Sequence, residues 1–372
     1  MRIMIIAGEA SGDLHGAGVV RELKRRSPDC DIYGVGGDKM QAAGMQLIYH
    51  VRELSIMGFW EVVQHLPLIR SVEKTLSALL KARKPDVLLL IDYPGFNLRF
   101  AQIAHQCGVK IAYYISPQVW AWKPGRVKKM KKFITKMLVV FPFEVDIYRD
   151  EGIDVEFVGH PLLEVLNEPQ GKREFCKRWE LDEKGKILGL FPGSRRQEIE
   201  RIFPAMIGAA RILHKQCHVQ TVVGVAPSIE PEFLRSFLRD DFPVTLIQNA
   251  TYDIMKNADV ALVTSGTATL ETGYYQTPMV IVYKTSFMTY LIGRMMIRIK
   301  NIGLVNIVAG KSIVPELIQS HATPQRLAAE ASRILTSDSL SNEISESLSV
   351  VKEKLGTIGA STRVAEAILS IA

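Results

Sequence analysis

Cysteine is scarce and scattered: the 372 residues hold four, Cys30, Cys107, Cys176 and Cys217, with no Cys-x-x-Cys pair and no His or Cys cluster at zinc spacing. Such usage points away from a small disulfide-stapled scaffold and a structural zinc site, and makes a reducing cytosol the expected compartment. No apolar run reaches the roughly 18 to 20 residues that a spanning helix needs, so any membrane contact is expected to be peripheral. The opening run Met1-Arg-Ile-Met-Ile-Ile-Ala7 stops at Gly8-Glu9 and reads as a first buried strand, not a secretory signal. There is no G-x-x-x-x-G-K-[ST] phosphate loop, which argues against an ATPase, and the turn after the first strand lacks the G-x-G-x-x-G spacing of a dinucleotide fingerprint.

Acidic residues are absent from two long windows. From Tyr93 to Phe143 there are nine Lys or Arg and no Asp or Glu, and from Thr272 to Pro315 there are five and again none. The formal charge of +7 therefore lies in these windows, and the remaining chain, with 32 bases against 39 acids, is mildly acidic. Positive charge alone admits nucleic acid, an anionic membrane or phosphorylated substrates as partners. Its location beside aromatic and apolar residues suits phosphorylated lipids at a membrane better than a duplex. A non-catalytic nucleic-acid binder is the rival, and it requires retention on DNA at moderate salt.

Short apolar runs alternate with amphipathic segments, the pattern of a parallel sheet covered on both faces. Strands are expected at Ile3–Ala7, Ile32–Val35, Val87–Ile91, Ile111–Ile115, Met137–Phe141 and Val155–Val158, with helices such as His15–Arg26, Leu68–Arg83 and Leu98–Cys107 between them. The rhythm breaks near Gly159-His160-Pro161 and restarts with strands at Ile187–Phe191, Val219–Val223, Val244–Ile247, Val260–Val263 and Met279–Tyr283. The fold class is thus α/β: two doubly wound domains, residues 1–165 and 166–322, facing a cleft. A helical tail, residues 323–372, packs on its own domain or crosses back to the first. In open α/β sheets the ligand lies beyond the carboxyl ends of the strands.

Several strand-to-helix turns carry candidate chemistry. Gly8-Glu9-Ala10-Ser11-Gly12-Asp13 is a small-residue turn that lets a ligand approach the backbone at a helix start; a simple capped turn is the alternative. Asp92, at the end of Val87–Ile91, is placed where partial desolvation raises a carboxylate pKa and suits a general base, against an Asx turn or N-cap before the next helix. Ser116-Pro-Gln-Val-Trp-Ala-Trp122 followed by Lys123 suits sugar stacking or an interface, with nucleic-acid stacking as the rival. Pro192-Gly-Ser-Arg-Arg196 links a strand to a helix start that carries Ser194 and two arginines, Arg195 and Arg196, a good arrangement for a pyrophosphate. Ser265-Gly266-Thr267 offers a second hydroxyl-rich helix start, and Glu271 can accept two hydrogen bonds from a ribose diol. Each turn alone could be capping, but two of them argue for a nucleoside diphosphate.

Metal-dependent sugar transfer usually needs an Asp-x-Asp in the site. The one candidate, Asp29-Cys30-Asp31, reads as a turn at the opposite sheet end, so no metal or cofactor is expected and the leaving diphosphate is left to Arg, Lys and helix starts. The apolar segment from Phe287 to Lys300 carries three bases and no acid, which favours an interfacial helix over an ordinary buried one. The apolar stretch Ile56–Trp60 has no base and reads as core, with an acyl-chain groove as the alternative.

Taken together, these segments resemble the lipid-A-disaccharide synthases, glycosyltransferases of the GT-B type with two Rossmann-like domains. The likeness runs through Ile5–Asp13, Ile91–Asn97, Ser116–Trp122, Val158–Pro161, Pro192–Arg195, Thr264–Glu271 and Val314–Leu317. It departs at Leu304-Val305-Asn306, where Leu-Pro-Asn is the expected pattern. The resemblance implies transfer of 2,3-diacylglucosamine from its UDP derivative to 2,3-diacylglucosamine 1-phosphate, giving a β(1→6) disaccharide and UDP with inversion. It implies Asp92 as base with His15 as the alternative, and Glu9, Ser11, Asn97 and Trp120 as substrate contacts. Ser194, Arg195, Ser265, Gly266, Thr267 and Glu271 would hold UDP, and Asn306 would orient donor groups. The implied partners are the two lipids and an anionic membrane surface, with a second copy of the chain admitted and nucleic acid excluded. The implied place is the cytoplasmic face of the inner membrane. A UDP-sugar 2-epimerase, or a transferase acting on the peptidoglycan lipid intermediate, shares the fold but is disfavoured by the Trp-Ala-Trp and Glu-Ala-Ser-Gly-Asp segments.

Overall fold

The computed structural model describes residues 1–54, 66–122, 125–166, 168–238, 242–285, 290 and 301–372. The chain forms two compact units, Met1–Glu164 with Leu355–Ala372, and Val165–Lys354. The stretch 56–60 and nearly all of 287–300 lie outside the described residues, as does Lys123, so the interfacial-helix and acyl-groove expectations rest on sequence alone.

The first unit holds seven strands: β1 (Arg2–Ala7), β2 (Asp31–Gly36), β3 (Gln46–His50), β4 (Val87–Ile91), β5 (Lys110–Tyr114), β6 (Lys136–Val139) and β7 (Val155–Phe157). They pair in the order β3-β2-β1-β4-β5-β6-β7, every pair parallel. The second unit holds β8 (Ile187–Phe191), β9 (Gln220–Val225), β10 (Val244–Gln248), β11 (Val260–Thr264), β12 (Met279–Tyr283) and β13 (Glu316–Ile318), in the order β10-β9-β8-β11-β12-β13 and likewise parallel. β4, β8 and β11 are buried at every residue. That burial is why they read as unbroken apolar runs: a central parallel strand is covered by helices on both faces.

In each unit the strand order reverses at one place, between β1 and β4 and between β8 and β11. Connections leave these neighbouring strands in opposite directions, opening a crevice at their carboxyl ends where a ligand can reach the backbone. The turns after β1 and β4 begin at Gly8 and Asp92, and those after β8 and β11 begin at Pro192 and Ser265. Four of the sequence motifs therefore stand at the two switch points. Asp29 and Asp31 lie at the amino end of β2, the opposite edge of the sheet.

The helical tail is divided between the units. Helices Pro324–Thr336 and Asp338–Lys354 belong to the second, whereas Ala360–Ile371 packs on the first-unit helix Ala10–Arg26. Ser361 anchors this last helix: its N–H donates to Glu164 Oε1 at 2.7 Å and its hydroxyl donates to the other oxygen of the same carboxylate. Arg363 adds a bond from Nε to the Val158 carbonyl at 2.8 Å, and Arg26 pairs with Glu366 at 2.6 Å. Gly18 makes the contact possible, because a Cβ there would stand 2.2 Å from Ser361 Oγ. Gly18→Ala should therefore destabilise the first unit by about 1–3 kcal/mol, the usual cost of overpacking, seen as an earlier urea midpoint. An unchanged midpoint would mean that the last helix shifts without cost.

Candidate active site

At the end of β4 the backbone enters the left-handed region at two successive non-glycine residues, Asp92 (φ 46°) and Tyr93 (φ 49°). Such residues cost on the order of 1–3 kcal/mol each and persist only where neighbours hold them. Here the Asp92 N–H donates to the Tyr114 carbonyl at 3.0 Å, and the Asp92 carbonyl accepts from Asn97 Nδ2 at 2.7 Å and from the Tyr113 hydroxyl at 2.6 Å. With its main chain tied on both sides, the residue projects its carboxylate from a fixed base. Gly8 completes the turn, because a Cβ there would meet the Tyr93 ring at 2.2 Å.

Burial pushes the Asp92 pKa up to about 6, with the Glu9 carboxylate adding to the rise and a backbone hydrogen bond at Tyr93 opposing it. A carboxylate poised just below neutrality is ionised at working pH and basic enough to take a proton. Burial moves His15 the other way, down to about 4, and His160 to about 3 with His15 contributing. Both imidazoles are therefore neutral at pH 7. By conjugate-acid strength His15 is the weaker base of the two candidates.

The remaining members of the first set have different fates. Glu9 and Ser11 are exposed at the start of helix Ala10–Arg26, which has no side-chain cap. Asp13 is spent on the fold, accepting from the N–H groups of Gly37, Lys39 and Met40 at 2.7, 3.1 and 3.0 Å. Asn97, expected as a substrate contact, is instead fully buried, and its amide donates to the carbonyls of Ile91 and Asp92. Its amide N–H₂ thus holds the turn that carries Asp92, while its side-chain oxygen is buried without a hydrogen-bond partner. Trp120 is half-buried and donates from Nε1 to Glu144 Oε1 at 3.2 Å. Glu144, the first residue of helix Glu144–Arg149, is itself buried.

In the second unit a cavity of about 550 Å³ opens at the β8/β11 switch point, lined by Gly193, Ser194, Arg195, Glu198, Asn249, Tyr252, Thr264, Ser265, Gly266, Thr267 and Glu271 among others. Two helices begin at it, Arg196–Cys217 and Thr267–Tyr274, and neither has a side-chain cap at its amino end. The N-cap position of the second is Gly266, which has no side chain to offer, and Ser265 before it donates its hydroxyl to the Ile302 carbonyl at 3.0 Å. Uncapped helix starts leave N–H groups and the positive end of the dipole for an anion. Exposed Arg195 adds a full charge, whereas Arg196 lies over the Phe233 ring at 4.8 Å, so only one of the two arginines lines the cavity.

Glu271 lines the same cavity with its pKa raised by burial, opposed by a hydrogen bond from the Tyr252 hydroxyl to Oε1 at 3.4 Å. The carboxylate keeps acceptor capacity for a diol. Glu198, in the first turn of its helix, is a second cavity acid whose pKa is raised by burial and lowered by Arg195. Asn306 departs from expectation. Its two donors go to the Val314 carbonyl and Glu316 Oε1, and its oxygen accepts from the N–H groups of Ile313 and Val314, all within 3.1 Å. A fully buried amide with its capacity consumed has nothing to present to a donor sugar, so Asn306 is a clamp on the chain leading into β13. Among the described residues, no cluster of three or more His, Cys, Asp or Glu could hold a metal ion.

Two parallel sheets, of seven and six strands in this order, form two Rossmann-like domains, the GT-B class of glycosyltransferase fold. Solved structures agree on the fold: UDP-GlcNAc 2-epimerase from Neisseria meningitidis bound to UDP-GlcNAc has a TM-score of 0.66 at 13% identity, covering 100% of both chains. The calicheamicin glycosyltransferase CalG4 has a TM-score of 0.64 at 14% identity, covering 100% of this chain and 97% of its own. At such identities the fold alone is shared, and sequence decides between chemistries. The family model described as lipid-A-disaccharide synthetase matches residues 3–368. The lipid-A-disaccharide synthase of Geobacter sulfurreducens is 44% identical over 372 residues, with 100% of this chain and 97% of that protein covered. That of Myxococcus xanthus is 40% identical over the same length, with 100% and 97% covered. The chain belongs to the lipid-A-disaccharide synthetase family, glycosyltransferases of lipid A biosynthesis.

Proposed function

We propose that the protein transfers 2,3-diacylglucosamine from its UDP derivative to the 6-hydroxyl of 2,3-diacylglucosamine 1-phosphate. The products are the β(1→6) disaccharide 1-phosphate and UDP. Asp92 takes the proton of the attacking hydroxyl as the oxygen bonds to the anomeric carbon and the bond to UDP breaks. The uncapped helix starts at Arg196 and Thr267, with Arg195, take up the charge that develops on the departing diphosphate, and Glu271 accepts from the ribose hydroxyls. The observation that carries this reading is the build of the Asp92 turn: a strained, triply held backbone presenting a carboxylate tuned close to neutrality.

Family membership supports the lipid substrates, and the exposed run Arg126, Lys128, Lys129, Lys131 and Lys132 supports work at an anionic surface, which we place at the cytoplasmic face of the inner membrane. Among the described residues, no helix is long and apolar enough to cross a membrane. Purified protein given both lipids should yield disaccharide and UDP in equal amounts by mass spectrometry. Epimerised or unchanged donor would overturn the proposal.

The pH dependence has a definite sign. The base is active ionised, so kcat should fall as pH drops through the Asp92 pKa of about 6, approaching tenfold per pH unit below it. A pH–rate profile with no acid limb between pH 5 and 7 (about one unit either side of that value) would count against Asp92.

A further inference from the structure

The carboxyl ends of β5 and β6 are joined by a buried carboxylate that the reaction itself does not use. Glu144 is 2% exposed and is in no ion pair with a described residue. Three donors converge on it: Ser116 Oγ at 2.6 Å and Trp120 Nε1 at 3.2 Å on Oε1, and the Phe141 N–H at 3.2 Å on Oε2. An unpaired carboxylate out of water is costly, and a pocket of donors accepts it only as an acceptor on both oxygens. Burial raises its pKa to about 7 while these hydrogen bonds oppose the rise.

What the carboxylate holds is a strained segment. Ile115, immediately before Ser116, is a β-branched residue at φ 61°, a genuine outlier, and its N–H reaches the Leu138 carbonyl at 3.1 Å. Tyr113 and Tyr114, just before it, make two of the three hydrogen bonds that hold the Asp92 backbone. Past Ser116 the segment ends in Trp120, whose ring meets Phe143 edge-on at 5.5 Å. Phe143 stacks on Phe141 at 5.6 Å, and Phe141 lies 5.2 Å from the His160 ring. One short stretch therefore carries the support of the base at one end and an anchored indole at the other, and Glu144 pins it between them.

We propose that Glu144 is a positioning residue for the acceptor: it fixes the Ser116–Trp120 segment so that the half-buried indole forms a set wall for the apolar face of the acceptor glucosamine. This rests on the proposed role of Asp92, in the same unit, as the base toward the acceptor hydroxyl. Glu144 touches no reacting atom and acts through Trp120. A Gln at this position turns an amide N–H₂ toward a donor, either the Phe141 N–H or the Ser116 and Trp120 pair, so one side of the clamp must open.

The test combines kinetics with the indole signal. Glu144→Gln should raise the acceptor KM about tenfold, the worth of one good hydrogen bond, with donor KM and UDP affinity unchanged. In ¹⁵N-Trp-labelled protein, the indole N–H resonance assigned by Trp120→Phe should move in Glu144→Gln. Trp120→Phe, which keeps a ring but loses the donor, should raise acceptor KM similarly, and the double variant should add little. Donor and acceptor constants worsening in parallel, fully multiplicative effects, or an unmoved indole resonance would overturn the proposal. Should Glu144→Gln fail to fold, Trp120→Phe decides alone: a raised acceptor KM at unchanged donor KM supports the clamp, and no change refutes it. Were the wild-type protein to make no disaccharide from the two lipids, the proposed transfer would fall, while the indole resonance would still decide the clamp.

Discussion

Asp92→Asn removes turnover, lowering kcat by about 10²- to 10⁴-fold, the usual worth of a positioned general base, while UDP affinity stays at the wild-type value. Asn keeps the size of the side chain and the backbone bonds to Asn97, Tyr113 and Tyr114, so the strained turn is preserved and only the proton acceptor is lost. Stability should move the opposite way from activity. The Asp92 pKa lies near 6 in the folded protein against an ordinary 3.8, so the folded state favours the protonated form, and ionisation costs on the order of 2–3 kcal/mol above pH 6. A neutral isostere escapes that cost. The variant should melt at or above the wild-type temperature at pH 8, and the difference should disappear as pH falls below about 4, where wild-type Asp92 is protonated in both states. An inactive variant with a depressed Tm at pH 8 would instead indicate a collapsed turn.

Arg195→Ala is expected to be the most damaging change on the donor side. The helix starts supply partial charges and backbone N–H groups, but Arg195 supplies the one full positive charge lining the cavity among the described residues, in a planar fork that matches phosphate oxygens. Its loss should weaken UDP binding by about 10- to 100-fold, the range for hydrogen bonds to a charged group. It should also lower kcat by about 10²-fold, because charge on the diphosphate grows as the glycosidic bond breaks. Arg195→Lys keeps the charge and loses the fork, so it should recover only part of each. Arg196→Ala is the internal control: that side chain lies over Phe233 at 4.8 Å, and its removal should leave UDP affinity within about twofold. Calorimetric titration with UDP reads all three. Equal effects from the two arginines would mean that general positive potential, and not Arg195, holds the diphosphate.

The central strands were legible because burial on both faces makes β1, β4, β8 and β11 continuous apolar runs. Two edge strands were not. β3, Gln46-Leu-Ile-Tyr-His50, is half-exposed with a mixed sequence, and β13 is three residues long; each is defined by pairing with a distant neighbour. The turns at Asp92, Arg195 and Thr267 could be read because small and polar residues at the exit of an apolar run mark a switch-point loop. Asn97 and Asn306 were expected as ligand contacts only through the family resemblance, not from their place in the pattern. Their burial depends on tertiary partners, and an amide facing a ligand and an amide clamping a loop have the same letters. Glu144 was invisible for a related reason: what distinguishes it from a helix-initiating acid is Ser116, 28 positions earlier in the chain.

The anomeric configuration of the new linkage tests Asp92-assisted single displacement most directly. It can be read by NMR on disaccharide made from an α-linked UDP donor, with released UDP counted alongside. Direct attack by the acceptor hydroxyl gives a wholly β linkage and one UDP per disaccharide, with no UDP burst when acceptor is withheld. An α linkage, or UDP released without acceptor and matched by sugar retained on the protein, would contradict it.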